Sequence, residues 1–136
     1  MAAPVTTATM RWREQLVFEG GGPGRPLTVV DGDAKVSSSP VEMLLLAAAS
    51  CTGADIVDIL KKKRVDLQSF ETHVAGTRRE EHPRRLTALH FTFTVRGDGA
   101  DEVKVRHAAD LSFEKYCSVM NSLAPDIRVT YDVTIA

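Results

Sequence analysis

Two cysteines, Cys51 and Cys117, are the residues of this chain best suited to chemistry, and they are its only two. Cys51 falls midway along a strongly apolar helical run. Cys117 falls at a break, in Tyr116-Cys117-Ser118-Val119-Met120-Asn121-Ser122. Thiols remote in sequence that meet in space form a redox pair. A peroxide oxidises one thiolate to a sulfenic acid, and the second thiol condenses with it to a disulfide. The competing reading is that both are small apolar fillers, a common fate of free cysteine.

Sulfur attacks as thiolate, so a working cysteine needs its pKa lowered. Cys117 is expected at a helix N-terminus, where unpaired N–H groups favour negative charge. Cys51 lies inside a helix, and its i+4 neighbour Asp55 would oppose ionisation. A cation must then come from elsewhere. Arg25, beside Gly20-Gly21-Gly22-Pro23-Gly24, is one candidate and Arg13 another. No Cys-x-x-Cys or His-x-x-x-His spacing occurs, so a zinc site has little support. The four histidines are scattered and read as surface or structural residues.

At 136 residues the chain is expected to form one domain, 1–136. A formal charge of -1 gives no general pull toward nucleic acid or an anionic membrane. The basic run Lys61-Lys62-Lys63-Arg64 reads as charge complementing a helix C-terminus. The longest apolar run, residues 43–49, is too short to span a bilayer. The first residues lack both a basic start and an apolar stretch, so no export signal is read and a cytoplasmic location is expected. In that compartment cysteines are more often reactive, metal-bound or simply buried than permanently cross-linked.

The elements that must position the thiols follow from periodicity. Met10, Trp12, Leu16 and Phe18 suggest a hairpin, followed by a five-residue glycine loop and a short strand at 27–30. Ser39-Pro40-Val41-Glu42 opens a helix, with Ser39 as cap and Glu42 as the capping-box acid. That helix is apolar all round for more than two turns, which predicts burial on every side, partly under a second subunit. Strands follow at 70–78 and 89–95, either side of an exposed turn. A helix at 101–116 takes Val103, Leu111 and Phe113 as core positions. A short helix at 117–123 and a strictly alternating strand at 127–135 close the chain. The order implies an α+β fold.

The segment Ser39-Pro40-Val41-Glu42-Met43-Leu44-Leu45-Leu46-Ala47-Ala48-Ala49-Ser50-Cys51-Thr52-Gly53 resembles the central-helix motif of the OsmC/Ohr family, the osmotically inducible and organic hydroperoxide resistance proteins. The run on to Arg64, and Tyr116-Cys117-Ser118-Val119, resemble the OsmC-like branch. The resemblance implies an intertwined homodimer, with antiparallel sheets wrapped around long central helices. It implies a thiol peroxidase acting on organic hydroperoxides in oxidative stress defence, with Cys51 peroxidatic and Cys117 resolving. Electrons would come from dithiols, including lipoylated proteins, with no metal or flavin. In the hydroperoxide-resistance enzymes an Arg and a Glu assist the thiol, and the Glu directly follows the motif's proline. Here Val41 holds that place and Glu42 comes next; Arg25 stands where the Arg is sought. Glu42 lies about 13 Å of helical rise before Cys51 and points to the other side, so it would serve the thiol of a partner. The alternative is a non-catalytic module of the same fold that binds a small apolar ligand or acts as a redox sensor.

Overall fold

A computed structural model describes residues 2–136. The chain divides into two compact units, one ending at Leu44 and the other running Leu45–Ala136, so that the boundary falls inside the first helix.

The N-terminal unit is an antiparallel sheet of β1 (Thr9–Glu14), β2 (Val17–Gly21) and β3 (Thr28–Asp31), in that order. The expected hairpin is present, turning at Gln15 and Leu16, with Gln15 at φ 49°. The glycine run is not all loop. Gly20 and Gly21 belong to β2, opposite Met10 and Thr9. A Cβ on Gly20 would lie 2.1 Å from the Thr9 carbonyl oxygen, so glycine there is what lets β1 approach. At the end of β3 the buried Asp31 carboxylate accepts the N–H groups of Asp33, Lys35 and Val36 at 2.9–3.0 Å. Those bonds, Val36 foremost, hold its pKa below the ordinary value.

α1 (Pro40–Lys62) starts as its sequence requires. The Ser39 N–H donates to Glu42 Oε1 at 2.9 Å, and the Glu42 N–H donates to Ser39 Oγ at 3.1 Å. It ends in a Schellman motif. Arg64 adopts φ 62°, its N–H reaches Lys61 O, and the Val65 N–H reaches Leu60 O. Leu60 and Val65 are both buried beneath that turn. Ala48, Thr52, Gly53, Ile56 and Leu60 form the buried stripe of the helix. Burial on every side is therefore not what one chain achieves: Leu46 remains 53% exposed, and Leu44 is also exposed. By length and apolar content α1 is sufficient to cross a bilayer, beyond what the run 43–49 suggested, but this stripe is taken up inside the fold.

In the C-terminal unit β4 (Asp66–Arg78) and β5 (Leu86–Asp98) form a long antiparallel pair, and β6 (Arg128–Ile135) lies against β5. The expectation of purely antiparallel sheets is corrected here, because β6 runs parallel to β5. The chain passes through helical segments between β5 and β6, a crossover that permits a parallel return. Leu89, Phe91, Phe93 and Val95 point to one face and are fully buried. Phe70, Phe91, Phe93, Phe113 and Tyr131 stack there with ring centroids 5.2–6.4 Å apart. α1 crosses this face antiparallel to β4. A Cβ on Gly53 would sit 3.3 Å from the Phe70 ring, and one on Gly76 would sit 3.1 Å from Leu45.

α2 (Glu102–Leu111) is capped by Asp101, whose carboxylate accepts the Lys104 N–H at 2.8 Å. It is shorter than expected, because its last turn widens into a π-helical turn over Ser112–Tyr116. Its core is also rotated from the expected one. Val105, Ala108 and Ala109 are buried, whereas Val103 is 78% exposed. Positions 105, 108, 109 and 112 make one helical stripe, and residue 103 falls far round from it. Leu111 and Phe113 are half-buried.

Candidate functional site: two thiols between α1 and a π turn

Halfway along α1 the half-buried Cys51 is followed by the fully buried Thr52 and, one turn on, by Asp55. Asp55 neighbours both on the helix surface, at i+4 from Cys51 and i+3 from Thr52. The second element arrives through the π turn. The Cys117 N–H donates to Ser112 O at 2.8 Å, five residues back. The wider turn ends α2 and delivers Cys117 to α1; such single π turns are common at functional sites.

Two neighbours of Cys51 hold the ends of that turn. Ser112 Oγ, fully buried, donates to Asp55 Oδ2 at 2.8 Å. Thr52 Oγ1 donates to Cys117 Sγ at 3.5 Å. Between these ties Cys51 lies near enough to Cys117 to help raise its pKa, and both are free thiols. The chain thus brings together the two cysteines that the sequence singled out.

Their environments differ. Cys117 has 0% of its surface exposed, and that burial is the main cause pushing its pKa up. The Met120 N–H, 3.4 Å from Sγ, and the Thr52 hydroxyl act the other way, while the Cys51 thiol adds to the rise. The expected helix N-terminus shrinks to one three-residue 3-10 turn, Met120–Ser122, which contributes a single N–H to the sulfur. Burial outweighs it, so the net direction is opposite to the one expected.

The other proposed site residues have local partners in the N-terminal unit. Glu42 is the capping-box acid. Arg25 is exposed, with Nη1 3.5 Å from Pro23 O. Arg13 faces Glu19 at 3.6 Å. Among the described residues no cluster of His, Cys, Asp and Glu could hold a metal ion. A largely apolar cavity of about 280 Å³ opens beside the Cys117 loop, lined by Phe113, Met120, Asn121, Leu123, Ile127 and Val129 among others.

Thr52 and Ser112 were not foreseen. The signal for Thr52 was a hydroxyl placed between Ala48 and Ile56 on an apolar helical stripe, where it must find a partner once buried. Ser112 had no comparable signal, because its role depends on the π turn.

A half-buried cysteine on a long helix, close to a fully buried one from the late helical segment of an α+β chain, defines a class of two-cysteine protein. The OsmC-like protein family matches residues 32–132, and this chain belongs to that family. It is 36% identical to Protein YhfA of Escherichia coli (strain K12) over 129 residues, covering 94% of this chain and 96% of YhfA. Among solved structures, a hypothetical protein from Aquifex aeolicus VF5 superposes with a TM-score of 0.85 at 26% identity, covering 98% of this chain and 99% of that one. The organic hydroperoxide resistance protein OhrB of Bacillus subtilis shares the fold with a TM-score of 0.62 at 15% identity, covering 98% of this chain and 100% of that one.

Proposed function

We propose that this protein is a thiol-dependent peroxidase that reduces organic hydroperoxides through Cys51 and Cys117. The observation that carries the reading is the pairing of a partly buried cysteine, Cys51, with a fully buried one, Cys117, whose ionisation it perturbs. The OsmC-like family, and the fold shared with a protein named for organic hydroperoxide resistance, support it.

Cys51, the thiol a substrate can reach, attacks as thiolate on the peroxide. The O–O bond breaks, the organic part leaves as its alcohol after taking a proton, and Cys51 becomes a sulfenic acid. Cys117 then attacks the oxidised sulfur. Water departs and the Cys51–Cys117 disulfide forms. A dithiol, such as a lipoyl group carried on a protein, takes up the oxidising equivalents and returns both thiols. No metal or flavin enters the cycle.

The working form is a homodimer in the cytoplasm, in which a second copy covers the apolar side chains that one chain leaves open on α1. Arg25 and Glu42 assist the thiol from the partner copy. The second reading, a ligand-binding module, draws on the apolar cavity beside Cys117. One assay separates them. Reduced protein is given cumene hydroperoxide with dihydrolipoamide or dithiothreitol, and peroxide loss is followed. Turnover that disappears in Cys51→Ser supports the peroxidase. A thermal shift with apolar ligands, no turnover, and equal reactivity of Cys51→Ser and the parent would end it.

A further inference from the structure

The asymmetry of the thiol pair bears on a step the cycle leaves open: which sulfur the reductant attacks. We infer that the reductant attacks Cys51 and expels Cys117 as a thiolate into a two-donor cradle made by Thr52 Oγ1 and the Met120 N–H, which makes Thr52 a positioning residue for the resolving thiol. The inference rests on the peroxidase reading for its physiological meaning.

Three observations carry it. The first is access. Thiol–disulfide exchange proceeds in line, with the entering sulfur opposite the leaving one. Cys51 is only partly buried, which leaves it the more approachable of the two. Attack on Cys117 requires a thiol to reach a sulfur with no exposed surface. The second is the cradle. Two donors lie 3.4 Å and 3.5 Å from Cys117 Sγ, and they come from different elements, α1 and the 3-10 turn. The third is the direction of the Thr52 hydroxyl. A helical threonine ordinarily bonds back to a carbonyl three or four residues earlier. This one, fully buried, reaches across to the neighbouring element.

Burial alone would make Cys117 a poor leaving group, and its thiol is indeed pushed up. Part of that rise comes from the Cys51 thiol beside it. Once Cys51 is bonded to the reductant it carries no charge, and that part disappears. The two donors remain and act against the burial. In the step itself, the reductant thiolate forms a bond to Cys51 Sγ, the Cys51–Cys117 bond breaks, and its electron pair stays on Cys117 Sγ. When the reductant is a dithiol, its second thiolate attacks its own sulfur in the mixed disulfide and releases Cys51 as thiolate.

The test uses the full chain oxidised to the disulfide with diamide, so that it does not depend on peroxide turnover. 2-Mercaptoethanol is added briefly, free thiols are blocked with N-ethylmaleimide at low pH, and peptides are mapped by mass spectrometry. The expected product carries the mercaptoethanol adduct on Cys51 and maleimide on Cys117. The reverse labelling would overturn the inference while leaving the peroxidase reading intact. Failure of diamide to form the disulfide would sink both. In parallel, Thr52→Val should slow reduction by dithiothreitol about 5-fold, the effect of losing one hydrogen bond, while Thr52→Ser keeps the parent rate. Equal rates for all three proteins would remove Thr52 from the step, and the adduct map on the parent stands if the valine variant does not fold.

Discussion

Cys51 and Cys117 differ less in chemistry than in surroundings, and the roles proposed for them accord with those surroundings. Replacing Cys51 should abolish turnover, with peroxide loss falling by orders of magnitude. Replacing Cys117 by serine should leave the first oxidation intact and strand Cys51 as a sulfenic acid, detectable as a dimedone adduct. Absence of that adduct after peroxide treatment would contradict the order of events. A second residue makes an independent check of the surroundings. Tyr131 donates to Asp110 Oδ1 at 2.6 Å beneath the Arg106 guanidinium, and burial first, then Asp110, push its phenol up to about 12. The chain has two tyrosines. Titration by ultraviolet absorbance should therefore show a tyrosine ionising near 12 that is absent from Tyr131→Phe. The folded state holds this proton more tightly than the unfolded one. Its contribution to stability is complete below about pH 10 and is lost as pH rises toward 12. Urea midpoints should fall across that window in the parent and fall less in Tyr131→Phe.

At the level of elements, α1 is the part most fully written in local sequence. Its cap, its first-turn acid and its basic end were legible because each is a short-range rule. Ser39→Ala should cost about 1 kcal/mol in urea unfolding. The mixed sheet shows the opposite case. The alternation of β6 fixed that it is a strand, but nothing in Ile127-Arg128-Val129-Thr130-Tyr131 says whether its neighbour runs parallel. Gly20 and Gly21 read as loop because glycine is usually punctuation. Their reason for being in β2 is an approach to Thr9 and Met10 that only the paired strands reveal. The Cβ of Gly20→Ala would meet backbone rather than a flexible side chain, so that variant should lose more than about 2 kcal/mol. An unchanged midpoint would mean the strands are spaced differently. The end of α2 eluded reading for a similar reason. Residues 101–116 carry a continuous helical pattern, and the change from an α to a π turn at Ser112 answers to the bond between Ser112 and Asp55, far away in sequence. The sequence-based core of α2 failed at Val103, where an apolar residue is simply exposed.

For the molecule as a whole, the exposed apolar side chains are the informative surface. Trp12, Leu27, Leu46 and Val36 each stand largely in the open on one chain. Under the proposed assembly a second copy covers part of this surface. Native mass spectrometry should then give twice the 14.8 kDa chain mass, and Leu46→Asp should shift the population toward single chains with loss of peroxidase activity. A parent protein that stays monomeric at micromolar concentration would refute the dimer and, with it, assistance by the partner's Arg25 and Glu42.

The claim on which the account depends is that a hydroperoxide joins two particular sulfurs. One equivalent of cumene hydroperoxide is added to the reduced protein, and the intact mass and tryptic peptides are read. The account predicts a loss of two hydrogens and a single cross-linked peptide joining Cys51 to Cys117 within one chain. Two thiols still free after peroxide, or oxidation landing on Cys117 while Cys51 stays reduced, would contradict it.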